Sequence, residues 1–82
     1  MKLPRDISGA ELANVLERLG YRITRQTGSY LRLTLDSPIQ HHISIPAHDP
    51  LKVGTLAAIL ADVAAHGKMN RDDLIRRLWS LS

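Results

Sequence analysis

Two side chains able to move or donate a proton, Tyr30 and His48, stand near two sets of phosphate-seeking groups. Arg25, Gly28, Ser29 and Arg32 form one set, and Lys52, Gly54 and Thr55 form the other. Guanidinium and ammonium groups bind phosphates by displacing counterions, and the free N–H groups at the start of a helix bind them by dipole and hydrogen bond. An imidazole exchanges protons near neutral pH. Together these groups describe chemistry on a polyanion, either binding it or cutting it. Each also has a plainer reading. Tyr30 can be a strand aromatic packed on its cross-strand neighbours, His48 a loop histidine bonded to a carbonyl, and Lys52 a solvated cation.

The charge pattern favours a polyanion. Eleven Lys and Arg against eight Asp and Glu give a net charge of +3. Four arginines (Arg18, Arg22, Arg25 and Arg32) fall between Arg18 and Leu35 with no acid among them. A solvated basic face is the bland alternative.

The elements that must position these groups are legible from periodicity. Ser8 and Glu11 make a capping box, with Ile7 placed to staple onto Leu12. Leu12, Val15, Leu16 and Leu19 follow helical spacing, which predicts a helix over about Gly9 to Leu19 ending at Gly20. Residues 21–26 and 30–35 read as a hairpin, the second run alternating strictly between polar and apolar. A three-residue turn, Thr27-Gly28-Ser29, puts Ile23 opposite Leu33 and Tyr21 opposite Leu35. A two-residue turn would send Ile23 to the other face, so the longer turn is preferred. Asp36-Ser37-Pro38 breaks the strand and residues 41–45 supply a third. On this register Arg22, Thr24, Gln26, Tyr30, Arg32, Thr34, His42 and Ser44 lie on the wet outer face. Leu56, Ile59, Leu60 and Val63 mark a second helix closing at Gly67. Asn70 caps a short third one carrying Leu74, Ile75, Leu78 and Trp79. The expected fold is α+β, in the order α-β-β-β-α plus a small C-terminal helix, with a three-stranded antiparallel sheet covered by helices on one face.

The start of the second strand at Tyr30 and the end of the third near Pro46 should lie side by side, bringing His48 and the start of the second helix to the same rim. That is the predicted site.

Other chemistry is excluded or unsupported. At 82 residues the chain has room for one small domain. It has no cysteine, so disulfides, thiol nucleophiles and thiolate zinc sites are out. His41 and His42 are adjacent and point to opposite faces of a strand, which disfavours a shared metal. No cofactor is expected. There is no P-loop, G-x-G-x-x-G or G-x-S-x-G. The weakly polar run from Val53 to Ala65 contains Asp62 and is too short for a membrane span, and Met1 to Leu12 lacks a signal-peptide core. A cytoplasmic location is expected, with no membrane partner.

Several stretches together resemble the HicA family of toxin–antitoxin systems. They are Leu3 to Leu12 (LPRDISGAEL), Leu19 to Arg25 (LGYRITR), Gln26 to Tyr30 (QTGSY), Ile45 to His48 (IPAH) and Leu51 to Leu56 (LKVGTL). The resemblance implies a fold like the double-stranded-RNA-binding domain, a metal-independent mRNA endoribonuclease activity, and a HicB-like antitoxin partner beside the RNA. It also implies a catalytic histidine at the third position of a G-S-H motif, where this chain has Tyr30. A phenol with its ordinary pKa of about 10 is ionised roughly one part in a thousand at pH 7, so it is a poor base, though a usable acid or hydrogen-bond donor. Three explanations stand side by side: an inactivated toxin, a member that only binds RNA or antitoxin, or one whose proton-transfer role has moved to His48.

Overall fold

The computed structural model describes residues 6–37 and 39–79. Pro38, expected to break the chain after the second strand, and the Leu3–Arg5 part of the family-like stretch lie outside them.

Helix α1 (Gly9–Leu16) starts as its capping box requires. The Ser8 hydroxyl accepts the Glu11 N–H at 3.0 Å and the Glu11 carboxylate accepts the Ser8 N–H at 3.3 Å. Its apolar stripe buries Leu12, Ala13 and Leu16. The helix then tightens into a 3₁₀ turn over Glu17–Leu19 and stops at Gly20, whose φ of 101° is left-handed, as a helix-ending glycine permits. Arg18 leaves the expected basic cluster here, because its guanidinium donates to the Leu78 carbonyl at 2.8 Å.

Three antiparallel strands follow in the order β1 (Arg22–Gln26), β2 (Tyr30–Leu35) and β3 (His41–Pro46). Helix α2 (Val53–His66) buries Leu56, Leu60, Val63 and Ala64. Helix α3 (Arg71–Trp79) is capped by Asn70, whose side chain accepts the Asp73 N–H at 2.8 Å, and it buries Leu74, Ile75 and Leu78. Helices α1 and α2 cover one face of the sheet, and α3 packs on those two helices. The aliphatic core joins Leu31, Leu33, Ile43 and Ile45 of the sheet to the three helices. The α+β architecture and element order are as expected for a double-stranded-RNA-binding-domain-like fold.

The hairpin departs from expectation in a way that matters to the site. Its loop is Gly28-Ser29, two residues long, closed by Thr27 N–H donating to the Tyr30 carbonyl at 2.9 Å. The Thr27 hydroxyl also accepts the N–H groups of Ser29 and Tyr30, at 3.1 and 3.2 Å. Near the turn Gln26 pairs with Leu31 and Arg25 with Arg32; farther along, Ile23 pairs with Leu33 and Arg22 with Thr34. One extra residue, Thr24, sits between these two registers as a β-bulge. The bulge undoes the face reversal that a two-residue turn would impose, so Ile23 still opposes Leu33. Gln26, expected on the outer face, is instead on the helix side opposite Leu31. Arg25 takes the outer face opposite Arg32. Ile23 remains 39% exposed because β1 is an edge strand.

Candidate nucleic-acid interface

Between β2 and β3 the register pairs Tyr30 with Pro46, Arg32 with Ser44 and Thr34 with His42 on the outer face. The alternate pairs, Leu31 with Ile45 and Leu33 with Ile43, face the core. With Arg25 moved outward by the bulge, the outer face carries two adjoining hollows. One is lined by Ser29, Tyr30, Arg32, His42, Ser44 and Pro46. The other is lined chiefly by Arg22, Thr24, Arg25, Arg32, Thr34 and His42. Arg32 and His42 border both.

The charges on this face are unequal. The Arg22 guanidinium donates to the Asp36 carboxylate at 2.8 and 3.0 Å and is largely neutralised. Arg25 and Arg32 are exposed and have no carboxylate partner among the described residues. The unsatisfied positive charge therefore sits between the two hollows, beside His42.

A line of hydroxyls runs under these charges. The Thr24 hydroxyl donates to the Arg32 carbonyl at 3.3 Å, the Thr24 and Thr34 oxygens are 3.0 Å apart, and the Thr34 oxygen lies 2.9 Å from His42 Nδ1. Thr34 is only 3% exposed although it lies on the wet face, and its polar atom is satisfied within this line. Sequence reasoning placed His42 and Thr34 on this face but gave neither a role. The strand alternation was the available signal for their common face, whereas the cross-strand contact depends on register.

The remaining predicted residues border neither hollow. Ala47 N–H donates to the Ser29 carbonyl at 3.0 Å, so the chain after β3 passes the hairpin turn as expected. The next carbonyl, that of His48, accepts the Gly9 N–H at 2.9 Å, which ties this loop to the start of α1. The His48 side chain is exposed and borders neither hollow. Gly28 is exposed at the hairpin tip with open space where a Cβ would stand. Lys52 is the N-cap of α2, with no side chain capping the first turn, and Gly54 and Thr55 lie within that turn on the helix layer. The structure thus gathers Arg25, Ser29, Tyr30 and Arg32 on one face, while His48, Lys52, Gly54 and Thr55 lie outside both hollows, the last three at the start of α2.

A second polar cluster, unforeseen in the sequence, lies on the helix side. Tyr21 Oη is 2.6 Å from His41 Nδ1, and His41 Nε2 is 3.2 Å from an Asp62 carboxylate oxygen. The His41 and His66 rings stack with centroids 4.2 Å apart, and His66 Nε2 donates to the Ile39 carbonyl at 3.0 Å. Burial, aided by the Asp62 charge, pushes the Tyr21 phenol up to about 12. The Asp62 carboxylate can only accept, so His41 Nε2–H donates to it, and Nδ1 of the neutral ring accepts from the protonated Tyr21 phenol. These bonds tie Tyr21, just before β1, to β3 and α2. As anticipated, His41 and His42 face opposite sides. Among the described residues no group of three or more His, Cys, Asp or Glu is placed to hold a metal ion, and no helix is long and apolar enough to cross a membrane.

No curated protein and no solved structure gives a significant match. The sequence does match the family described as HicA toxin of bacterial toxin–antitoxin systems, over residues 9–64, from the start of α1 through most of α2. That span is well over half of the 82 residues and contains all three strands and every residue bordering the two hollows. The chain belongs to the HicA toxin family and is the toxin member of a toxin–antitoxin system, with an antitoxin as its partner.

Proposed function

We propose that this toxin acts on RNA, holding it across the outer sheet face and cutting it beside Tyr30 without a metal ion. The observation that carries this reading is the bulge at Thr24, which sets Arg25 next to Arg32 on the face where Tyr30 and His42 stand. Two guanidinium groups side by side, with no carboxylate partner among the described residues, suit consecutive phosphates. The α2 N-terminus, with Lys52 and the amides of Gly54 and Thr55, would offer a further phosphate contact. A HicB-like antitoxin would silence the toxin by covering the same face.

Salt dependence tests the binding half. Two phosphate contacts to a single strand give a slope of log K against log salt of about −1.4, which is roughly a sevenfold loss between 50 and 200 mM. A flat response would contradict the assignment. Gel analysis of a generic mRNA tests the cutting half, using this protein and a Tyr30→His variant that carries the family's residue. Tyr30 itself favours a second reading, a non-catalytic RNA- or antitoxin-binding member of the family. Tight, salt-sensitive binding with no cleavage by either protein would establish that reading instead.

A further inference from the structure

We infer that His42 is the proton acceptor of this toxin, standing in for the histidine that Tyr30 replaces. The inference rests on the cleavage reading above and assigns its base.

The polarity of the hydroxyl line decides which imidazole nitrogen is available. A carbonyl oxygen can only accept, so the Thr24 hydroxyl spends its proton on Arg32 O. Thr34 must then donate to Thr24, and the Thr34 oxygen is left to accept from His42 Nδ1–H. One arrangement satisfies all three bonds, and in it the neutral His42 carries its proton on Nδ1 and a bare lone pair on Nε2. The tautomer of a catalytic histidine is commonly set in this way, by the bond its other nitrogen makes. Burial of Thr34 shields this arrangement from competing water.

The surroundings fit the task. His42 borders both hollows, with Tyr30 sharing one, Arg25 sharing the other and Arg32 sharing both. The charged groups facing it are Arg32 of β2, Arg22 and Arg25 of β1, and Asp36 held by Arg22. His48 has no comparable setting, because its side chain lies outside both hollows.

The step balances without a cofactor. His42 Nε2 takes the proton of a ribose 2′-hydroxyl while the 2′ oxygen bonds to the adjacent phosphorus. The bond from phosphorus to the 5′ oxygen of the next nucleotide breaks, and that oxygen leaves with the Tyr30 phenol proton. Arg32 neutralises the non-bridging oxygens. The products are a 2′,3′-cyclic phosphate and a 5′-hydroxyl end. Proton return from imidazolium to phenolate through solvent restores the site. Thr34 is a positioning residue in this scheme.

The test follows a single-stranded oligoribonucleotide, measuring affinity, cleavage rate and product ends for the unaltered protein, His42→Ala and Thr34→Val. General-base removal should lower the rate by about 10²–10⁴-fold. The expected result is that loss in His42→Ala with affinity within twofold of the parent, and cyclic-phosphate ends from the parent. Thr34→Val, which keeps the shape but removes the acceptor for Nδ1–H, should give a smaller loss and an altered pH–rate profile. Equal cleavage by His42→Ala and parent would overturn the inference while leaving the RNA-cleaving function intact. A parent that binds RNA without cutting it would overturn it in favour of the non-catalytic reading, and a parent that neither binds nor cuts would remove the proposed function as well.

Discussion

Replacing Gly9 by alanine sets two physical effects against each other. Gly9 opens α1, where alanine is intrinsically the better helix former by up to about 1 kcal/mol. A Cβ on Gly9, however, would fall well inside contact distance of the Pro46 carbonyl oxygen, 3.2 Å from the Pro46 carbonyl carbon and 3.3 Å from Ile45 Cγ2. Reaching an ordinary C···O separation of about 3.3 Å requires backbone to move on the order of 1 Å. Two rigid segments meet there, since the same residue donates its N–H to His48 O at 2.9 Å. Overpacking costs roughly 1–3 kcal/mol, and weakening that hydrogen bond adds about 0.5–1.5 kcal/mol. Set against the helix gain, the net expectation is a loss of about 2 kcal/mol, or roughly 8–16 °C in Tm for a domain of this size. Urea unfolding should show the midpoint lowered by roughly 0.7–2 M with an unchanged slope. Because Pro46 borders the Tyr30 hollow, RNA binding should weaken in the same variant. Unchanged or increased stability would mean that helix propensity dominates and that the start of α1 does not brace the end of β3.

Two further outcomes are expected. The Tyr21 phenol, raised to about 12 in the fold against about 10 unfolded, contributes stability that is fully present below pH 10 and lost as pH climbs from 10 through 12. The loss amounts to at most roughly 3 kcal/mol, and Tyr21→Phe, read by alkaline denaturation, should flatten this limb while costing about 1–3 kcal/mol at neutral pH because His41 Nδ1 loses its donor. Arg25→Ala should make the salt slope of RNA binding shallower by about 0.7, whereas Arg77→Ala on α3 should leave it unchanged; equal effects would mean non-specific attraction to net charge.

The parts of this fold legible in the sequence are those set by neighbours within a few residues. Ser8 and Glu11 satisfy one another across a single helical turn, Asn70 caps Asp73 in the same way, and the alternation of β2 separates Arg32 and Thr34 from Leu31 and Leu33 whatever else happens. The hairpin shows where local reasoning fails. Two- and three-residue turns are both compatible with Thr27-Gly28-Ser29, and the choice rests on keeping Ile23 opposite Leu33. The protein meets that demand with a short turn plus a bulge at Thr24, so the pairing of Ile23 is as expected while Gln26 and Arg25 exchange faces. The basic pair Arg25–Arg32 is a product of that bulge. Contacts distant in sequence left no spacing to read: Arg18 reaches Leu78 across 60 positions and His41 reaches Asp62 across 21. The rim holding Tyr30, Pro46 and the chain leading to His48 was inferable from antiparallel order alone, but which histidine borders Tyr30's hollow was not.

Chemical-shift mapping on the ¹⁵N-labelled protein tests the central claim most directly, with a short single-stranded RNA added at low salt. Perturbed amides should cluster on Arg25, Tyr30, Arg32, Thr34, His42 and Ser44, with the outward surface of α3 silent. Shifts confined to α3 and the exposed side of α2, with the strands unmoved, would contradict the assignment of this sheet face as the surface that meets RNA.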